Sequence, residues 1–190
     1  MLIQRLTILL IVFSVVAGNA FAGNYCDLAD DVTEKAVATF ESDQNDGLKL
    51  FIIARELCLN DAANDYNLGV AYYRYGSLSE AQKSLEEAVQ KDDSHAGALN
   101  NLAQVILEQQ GEGGEALRYA EKAVALVNSP ATQETLARAR FAVGQEVEAL
   151  DGLHKALAES SEKRLKLSYD DLLDRYLVIQ VERIKAGQQQ

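Results

Sequence analysis

Small and apolar residues recur along this chain with a period of about 34 residues, a length typical of repeated helix pairs. Leu68, Leu102 and Leu136 are evenly spaced at this period. Nothing in 23–190 alternates apolar and polar residues for long enough to form a sheet, and strong helix formers dominate. The pattern predicts an all-α fold built from repeated helix pairs. Two further sets of small residues keep the same phase, with a first interval slightly longer and a second slightly shorter than the period: Ala81, Ala116 and Ala149, and Ala88, Ala123 and Ala156.

The residues around each repeated leucine resemble the tetratricopeptide-repeat (TPR) family. In the first full unit, Asn67-Leu68-Gly69 is followed in the family's order by Tyr72, Gly76, Glu80-Ala81, Leu85 and Ala88. The same order returns in two more units, so the resemblance covers 62–159 and implies three TPR units. It implies a right-handed superhelical stack of TPR helix hairpins, in which each hairpin buries its apolar face against its neighbours. One departure is that the family's tryptophan position holds Asp65, Leu99 and Gln133.

The segments on either side of these three units follow the pattern more weakly. One period further back, 23–61 predicts a degenerate first hairpin with helices over 28–40 and 47–59. Beyond the repeats, 160–187 predicts a C-terminal capping helix that starts at Ser168, with Asp170 and Asp171 in its first turn. A helix that binds a partner is the alternative for this segment. We expect 188–190 to form a disordered tail.

The N-terminal segment 1–22 has the pattern of a cleaved signal peptide. Arg5 precedes an apolar run from Leu6 to Ala17, and Ala20-Phe21-Ala22 is an Ala-x-Ala cleavage signature. A twelve-residue helix is roughly 18 Å long, which is too short for a hydrocarbon core of about 30 Å. We therefore expect a periplasmic or secreted protein that begins at Gly23 and does not span a membrane.

The charge of the chain restricts the classes of partner. Eighteen Lys and Arg residues face 29 Asp and Glu residues, for a net charge of −11. This much negative charge argues against nucleic acid and anionic lipid headgroups as partners, because both repel an acidic surface.

Two cysteines remain after removal of the predicted signal. In an oxidising compartment an even number of cysteines first suggests a disulfide. If 23–61 forms an antiparallel TPR-like hairpin, Cys26 lies at the start of its first helix and Cys58 near the end of its second. These two ends are neighbours, so we expect a Cys26–Cys58 bridge. Two independent buried thiols are the alternative.

The sequence contains no pattern typical of a catalytic or metal site, and it predicts neither enzyme activity nor a cofactor. The two histidines are predicted in a turn, at His95, and on a solvent-facing helix position, at His154. The run 43–47 fails the calcium-loop pattern because Ala54 stands where a bidentate glutamate is required. The glycine-rich run 111–114 lacks the lysine of a phosphate-binding loop.

The TPR resemblance implies that the first helices of the units line a concave groove, where partner segments bind. Asn67 and Asn101 match positions where peptide-binding members carry an asparagine that hydrogen-bonds a ligand backbone. Gly97 stands where members that clamp a C-terminal carboxylate carry a lysine. The predicted partner-binding residues are Tyr66, Asn67, Val70, Tyr73, Arg74, Asn100, Asn101, Gln104 and Arg138. Among them, we expect Tyr73 and Arg74 to be surface-accessible.

Three functional hypotheses remain open at this stage. The first is a non-catalytic periplasmic scaffold that binds a protein or peptide segment in the groove, for envelope assembly or secretion. The second is a periplasmic chaperone or a carrier of a small apolar ligand. The third is a mainly structural oligomerisation module. The sequence does not predict the oligomeric state.

Removal of the signal peptide is the first testable expectation. The intact mass of protein recovered from the periplasm should correspond to a chain that starts at Gly23, because cleavage follows the Ala-x-Ala signature. A full-length mass or a lipid-modified mass would contradict this expectation.

Overall fold

The computed structural model describes residues 22–110, 112–160 and 163–187, and within these ranges every regular element is an α-helix. Residues 1–21 of the predicted signal peptide and the predicted tail 188–190 lie outside the described residues. The nine helices of the described ranges are α1 Ala22–Phe40, α2 Gln44–Leu57, α3 Ala62–Tyr75, α4 Leu78–Lys91, α5 Ala96–Glu108, α6 Gly113–Leu126, α7 Pro130–Ala142, α8 Glu146–Glu159 and α9 Lys163–Gly187. None of them is both long and apolar enough to cross a membrane.

Successive helices pair into four hairpins, α1–α2, α3–α4, α5–α6 and α7–α8, and α9 packs on the last of them. The first helices of neighbouring hairpins approach within 8 Å between Cα atoms, whereas the second helices of the described chain do not. The stack is therefore tighter on the side of α1, α3, α5 and α7. This side forms the inner groove, and the predicted all-α stack of hairpins is confirmed.

Small residues set the distance between the two helices of a hairpin. A Cβ atom on Gly69 in α3 would lie 2.7 Å from Cγ of Leu85 in α4. A Cβ atom on Gly47 in α2 would lie 2.5 Å from the Cα atom of Phe40 in α1. Atoms cannot approach that closely, so these two helix pairs need glycine at their crossing points. The same principle explains the repeated alanines, among which Ala81, Ala116 and Ala149 are fully buried.

Helix α9 packs on the last hairpin, and it begins earlier than Ser168. It is continuous from Lys163, so Ser168 lies inside the helix and does not cap it. Leu165, which is 1% exposed, packs with Leu172 into the core of the last hairpin. Burial of this leucine extends the helix upstream of Ser168, because helix length is set by packing more than by a capping signal.

A buried carboxylate joins the first two hairpins. Asp65, which occupies the family's tryptophan position in α3, is 0% exposed. Its Oδ1 accepts a hydrogen bond of 3.1 Å from Nε of Arg55 in α2, and its Oδ2 pairs with Nζ of Lys91 in α4. Lys91 also donates to the carbonyl oxygen of Leu59, which lies between α2 and α3. Asp65 and its two cations therefore connect α2, α3, α4 and the turn between α2 and α3.

Arg55 extends this network to the outer surface. Its Nη2 lies 2.6 Å from Oε2 of Glu87 in α4. Burial by itself lowers the pKa of Arg55, but the hydrogen bond to Asp65 and the negative charges of Glu87, Asp65 and Glu56 outweigh burial and raise it. The guanidinium therefore stays charged and keeps its role as a counter-ion to Asp65.

The first hairpin contains the predicted disulfide. Cys26 in α1 and Cys58 at the end of α2 are bonded, with their Cα atoms 4.9 Å apart. Cys58 is 8% exposed and packs with Ala29 and Ala54. The bridge closes the open end of the hairpin, opposite the turn between α1 and α2.

Loss of the disulfide should destabilise the first hairpin. The bridge joins cysteines 32 positions apart, so the loop-entropy model predicts that Cys58→Ser lowers the free energy of unfolding by about 2–4 kcal/mol. Urea unfolding should show a similar loss in the free energy of unfolding for the variant and for the wild-type protein with a reductant. Thiol labelling of the denatured, unreduced wild-type protein should find no free cysteine. Stoichiometric labelling of both cysteines would refute the bridge.

Removal of the buried charge should also destabilise the stack. Asp65→Asn keeps the shape of the side chain but leaves Arg55 and Lys91 without their buried counter-charge. Loss of one partner from a buried pair costs about 3–5 kcal/mol, and we expect about 2–4 kcal/mol here because both cations are partly solvated. Denaturant unfolding measures the loss.

Lys122→Ala is the matched control for this experiment. Lys122 pairs with Asp93 at 2.8 Å on the surface, with side-chain exposures of 43% and 81%. Its removal should change the free energy of unfolding by less than about 1 kcal/mol. If Asp65→Asn cost no more than Lys122→Ala, the buried carboxylate would not hold the hairpins together.

Candidate functional site

Two side-chain hydrogen bonds run across the inner groove and connect three successive first helices. The hydroxyl of Tyr73 in α3 donates to Oε1 of Glu108 in α5 at 2.5 Å. Further along, Nε2 of Gln104 in α5 donates to Oγ1 of Thr135 in α7 at 3.0 Å. The predicted site residues of α3 and α5 therefore share one continuous surface. Arg138, one turn beyond Thr135, is half-buried and has no hydrogen bond or ion pair with the described residues.

Tyr66 is fixed in the groove by contacts with the turn before α5. Its ring lies 4.6 Å from the His95 ring, centroid to centroid, at an interplanar angle of 38°. Nδ1 of His95 accepts a hydrogen bond of 3.1 Å from the backbone N–H of Ala98, so this histidine caps α5. A Cβ atom on Gly97 would lie 3.2 Å from the Tyr66 hydroxyl oxygen. A longer side chain at position 97 would therefore compete with the Tyr66 ring for space.

An apolar pocket of about 220 Å³ lies at the α1 end of the groove. Val37, which is 52% exposed, lines it from α1 together with Phe40. The remaining lining residues are Phe51 from α2 and Tyr66, Asn67, Val70, Ala71 and Arg74 from α3. The repeat pattern did not predict the α1 side of this pocket, because the first hairpin follows the repeat too weakly to place its residues. The spacing of Val37 and Phe40, one helical turn apart, was the sequence signal that could have placed both on one face of α1.

Arg74 already has partners within the chain. Its Nη2 lies 2.8 Å from Oε1 of Glu41, and its guanidinium carbon lies 5.0 Å from the centre of the Phe40 ring. Both partners come from the first hairpin. The positive charge of Arg74 is therefore balanced at the edge of the apolar pocket, and an acidic ligand would have to compete with Glu41.

Asn100, one of the predicted partner-binding residues, is buried. It is 7% exposed, because α5 lies in the middle of the stack with neighbours on both sides. Its Nδ2 lies 3.4 Å from Oδ1 of Asn101, and among the described residues its Oδ1 has no hydrogen-bond partner. An unsatisfied buried acceptor costs about 1–3 kcal/mol.

No protein-family model matches the sequence, and no curated protein matches it. Solved structures do match. PilF of Pseudomonas aeruginosa is 18% identical, with a TM-score of 0.69 over 87% of this chain and 74% of that one. MamA is 20% identical, with a TM-score of 0.60 over 72% of this chain and 75% of that one. The first TPR of Spaghetti (RPAP3), bound to the HSP90 peptide SRMEEVD, is 18% identical, with a TM-score of 0.58 over 61% of this chain and 93% of that one. The chain has the TPR fold.

Within this TPR fold the acidic pairs and turns that could suggest a metal site have structural roles. Asp43 caps α2, its Oδ1 accepting a 3.0 Å hydrogen bond from the backbone N–H of Asp46. Asp92 accepts hydrogen bonds from the hydroxyl and the backbone N–H of Ser94, and these lower the pKa of its carboxyl group. No group of three or more His, Cys, Asp and Glu side chains in the described ranges is arranged to hold a metal ion.

A larger cleft, of about 660 Å³, lies outside the TPR groove, between α6, α7 and α8. Arg140 occupies the position held by Tyr72 and Ile106 in the two preceding units, and it is half-buried beside Gly152. Acidic and basic side chains both line this cleft, so it offers neither a uniform charge nor an apolar surface. The inner groove, with its separate apolar and amide parts, is the stronger candidate site.

Proposed function

We propose that this protein is a non-catalytic periplasmic scaffold that binds an extended protein segment in its inner groove. The observation that carries the proposal is the combination of an open apolar pocket at one end of the groove with amide side chains along its floor. The pocket supplies affinity for an apolar side chain, and the amides supply partners for a peptide backbone.

The apolar pocket favours a segment with one large apolar side chain. Val37 lines this pocket together with Val70 and Phe40, and it remains half-exposed. Complete burial of a Leu, Ile or Phe side chain contributes about 1.5–3 kcal/mol. A side chain that enters this pocket would also cover Val37, so both partners would bury apolar surface.

The amides favour an extended backbone. Asn67 and Asn101 each offer one acceptor and two donor positions, and they lie on neighbouring first helices. Asn100 precedes Asn101 on α5, but its Oδ1 is buried and is therefore not open to a bound segment.

The groove chemistry disfavours an acidic peptide such as the SRMEEVD peptide of the RPAP3 structure, and it disfavours a C-terminal carboxylate. Gly97 provides no cation, and Tyr66 fills the space where a longer side chain would lie. Arg74 is paired with Glu41. We therefore expect recognition of an internal segment with an apolar anchor.

The disulfide and the N-terminal pattern support export. A structural disulfide is typical of an oxidising compartment such as the bacterial periplasm. A scaffold in that compartment would serve envelope assembly or secretion.

A carrier of a small apolar ligand is the second candidate, and the same pocket favours it. The two functions differ in their dependence on the amides. Val37→Glu should abolish retention of a small apolar ligand in native mass spectrometry, whereas Asn101→Ala should leave it unchanged. If the protein is a scaffold for a protein segment, both substitutions should weaken binding of that segment.

Binding of peptides from a randomised library tests the scaffold proposal. We expect the selected peptides to contain a large apolar residue and to bind the mature protein in fluorescence anisotropy. Tyr73→Ala and Arg74→Ala should each cost about 1–3 kcal/mol of binding, because aromatic and arginine residues dominate interface energetics. Val37→Glu should weaken binding at least about tenfold, since it places a charge at the pocket mouth.

Lys83→Ala is the control, because Lys83 is exposed on α4 and has no ion pair with a described residue. Glu87 on the same helix is unsuitable, since it pairs with Arg55. Equal loss of affinity in Lys83→Ala and in the groove variants would contradict the groove as the binding site. Selection of no binding peptide would contradict segment recognition itself.

A further inference from the structure

Helix α9 has two apolar faces, and only one of them is covered. Its inner face carries Leu165 and Leu172, both 1% exposed, which pack on the last hairpin. In the C-terminal half of the helix, the opposite face carries four large apolar side chains that remain open to solvent. They are Leu177 at 51% exposure, Val178 at 58%, Val181 at 47% and Ile184 at 60%. Leu177, Val181 and Ile184 follow helical i, i+4, i+7 spacing and therefore form one stripe.

The position of α9 in the stack explains why this face is open. Each of α1, α3, α5 and α7 packs against the antiparallel second helix of its own hairpin. Helix α9 contacts α7 and α8 in the way that a first helix does, but the described chain provides no second helix to follow it. The open stripe is thus suited to an antiparallel helix that would complete a fifth hairpin.

Two unpaired charges flank the open stripe. Asp174 lies one turn before Leu177, and Lys185 lies one turn after Val181. Neither has an ion pair with a described residue, although most other charged side chains of α9 do. Glu182 is also unpaired among the described residues, but at i+5 from Leu177 it lies away from the stripe. The stripe therefore has an acidic group at one end and a basic group at the other.

We propose that two copies of this protein pair through α9, with the two helices antiparallel. When Leu177 of one copy faces Val181 of the other, Lys185 of each copy lies beside Asp174 of its partner. A parallel pair would instead set Asp174 against Asp174 and Lys185 against Lys185, which is repulsive. Each α9 then serves as the missing second helix of the other copy.

The expected dimer is reversible and depends on concentration. One helix face buries less than the roughly 1,200–2,000 Å² of a standard stable interface. Sedimentation velocity of the mature protein, over a range of concentrations, should show a shift from monomer to dimer. Val181→Glu should weaken self-association at least tenfold without a change in helical content, since Val181 is half-exposed. Val127→Glu, at a 50% exposed site after α6, is the matched control and should leave self-association unchanged.

Charge reversal tests the orientation. Asp174→Lys and Lys185→Asp should each weaken self-association, because each sets like charges together across the interface. The double variant D174K/K185D should restore it, and an equal mixture of the two single variants should form a heterodimer. A parallel pair predicts instead that neither single variant weakens self-association, because like charges already face each other in the wild-type pair.

A wild-type protein that stays monomeric at all concentrations would overturn the proposal. A dimer that persists in Val181→Glu would also overturn it, because the contact would then lie elsewhere. The wild-type protein could instead be monomeric and bind a different protein that Val181→Glu does not bind. In that case the face binds that partner and not a second copy.

Discussion

The carboxylate of Asp65 is the constraint on which the groove depends. It is fully buried in α3, where it holds Arg55 from the first hairpin and Lys91 from the second. Together with the Cys26–Cys58 bridge, these contacts fix the first hairpin relative to the second. The apolar pocket lies between those two hairpins, so its shape follows from the same contacts.

A buried ion network at this position gives orientation more than stability. The equivalent residue in the next unit, Leu99, is 0% exposed and packs as an ordinary apolar side chain. Replacement of buried ion pairs by apolar residues is often neutral or stabilising, so Asp65 is not needed for the stack to exist. Its partners are directional, however, and they fix the first hairpin, whose repeat pattern is weak, in one arrangement against the second.

The repeat period predicted most of the fold because it reports which residues face a neighbouring helix. It also predicted the disulfide, since Cys26 and Cys58 lie at adjacent ends of one hairpin. It could not predict the depth of burial of Asn100, which depends on helices that are distant in the sequence. The repeat period also could not predict that Val37 lines the pocket or that α9 begins at Lys163. Both residues lie outside the segment in which the repeat is clear.

Site-specific photocrosslinking in cells tests the central claim, that the inner groove holds an extended protein segment. A photoreactive residue at Val70, beside the apolar pocket, would be compared with one at Lys83 on the opposite side of the hairpin, and crosslinked peptides would be identified by mass spectrometry. The account predicts that Val70 crosslinks to one short segment of a partner protein that contains a large apolar residue, and that Lys83 does not. Crosslinks from Lys83 with none from Val70 would contradict it.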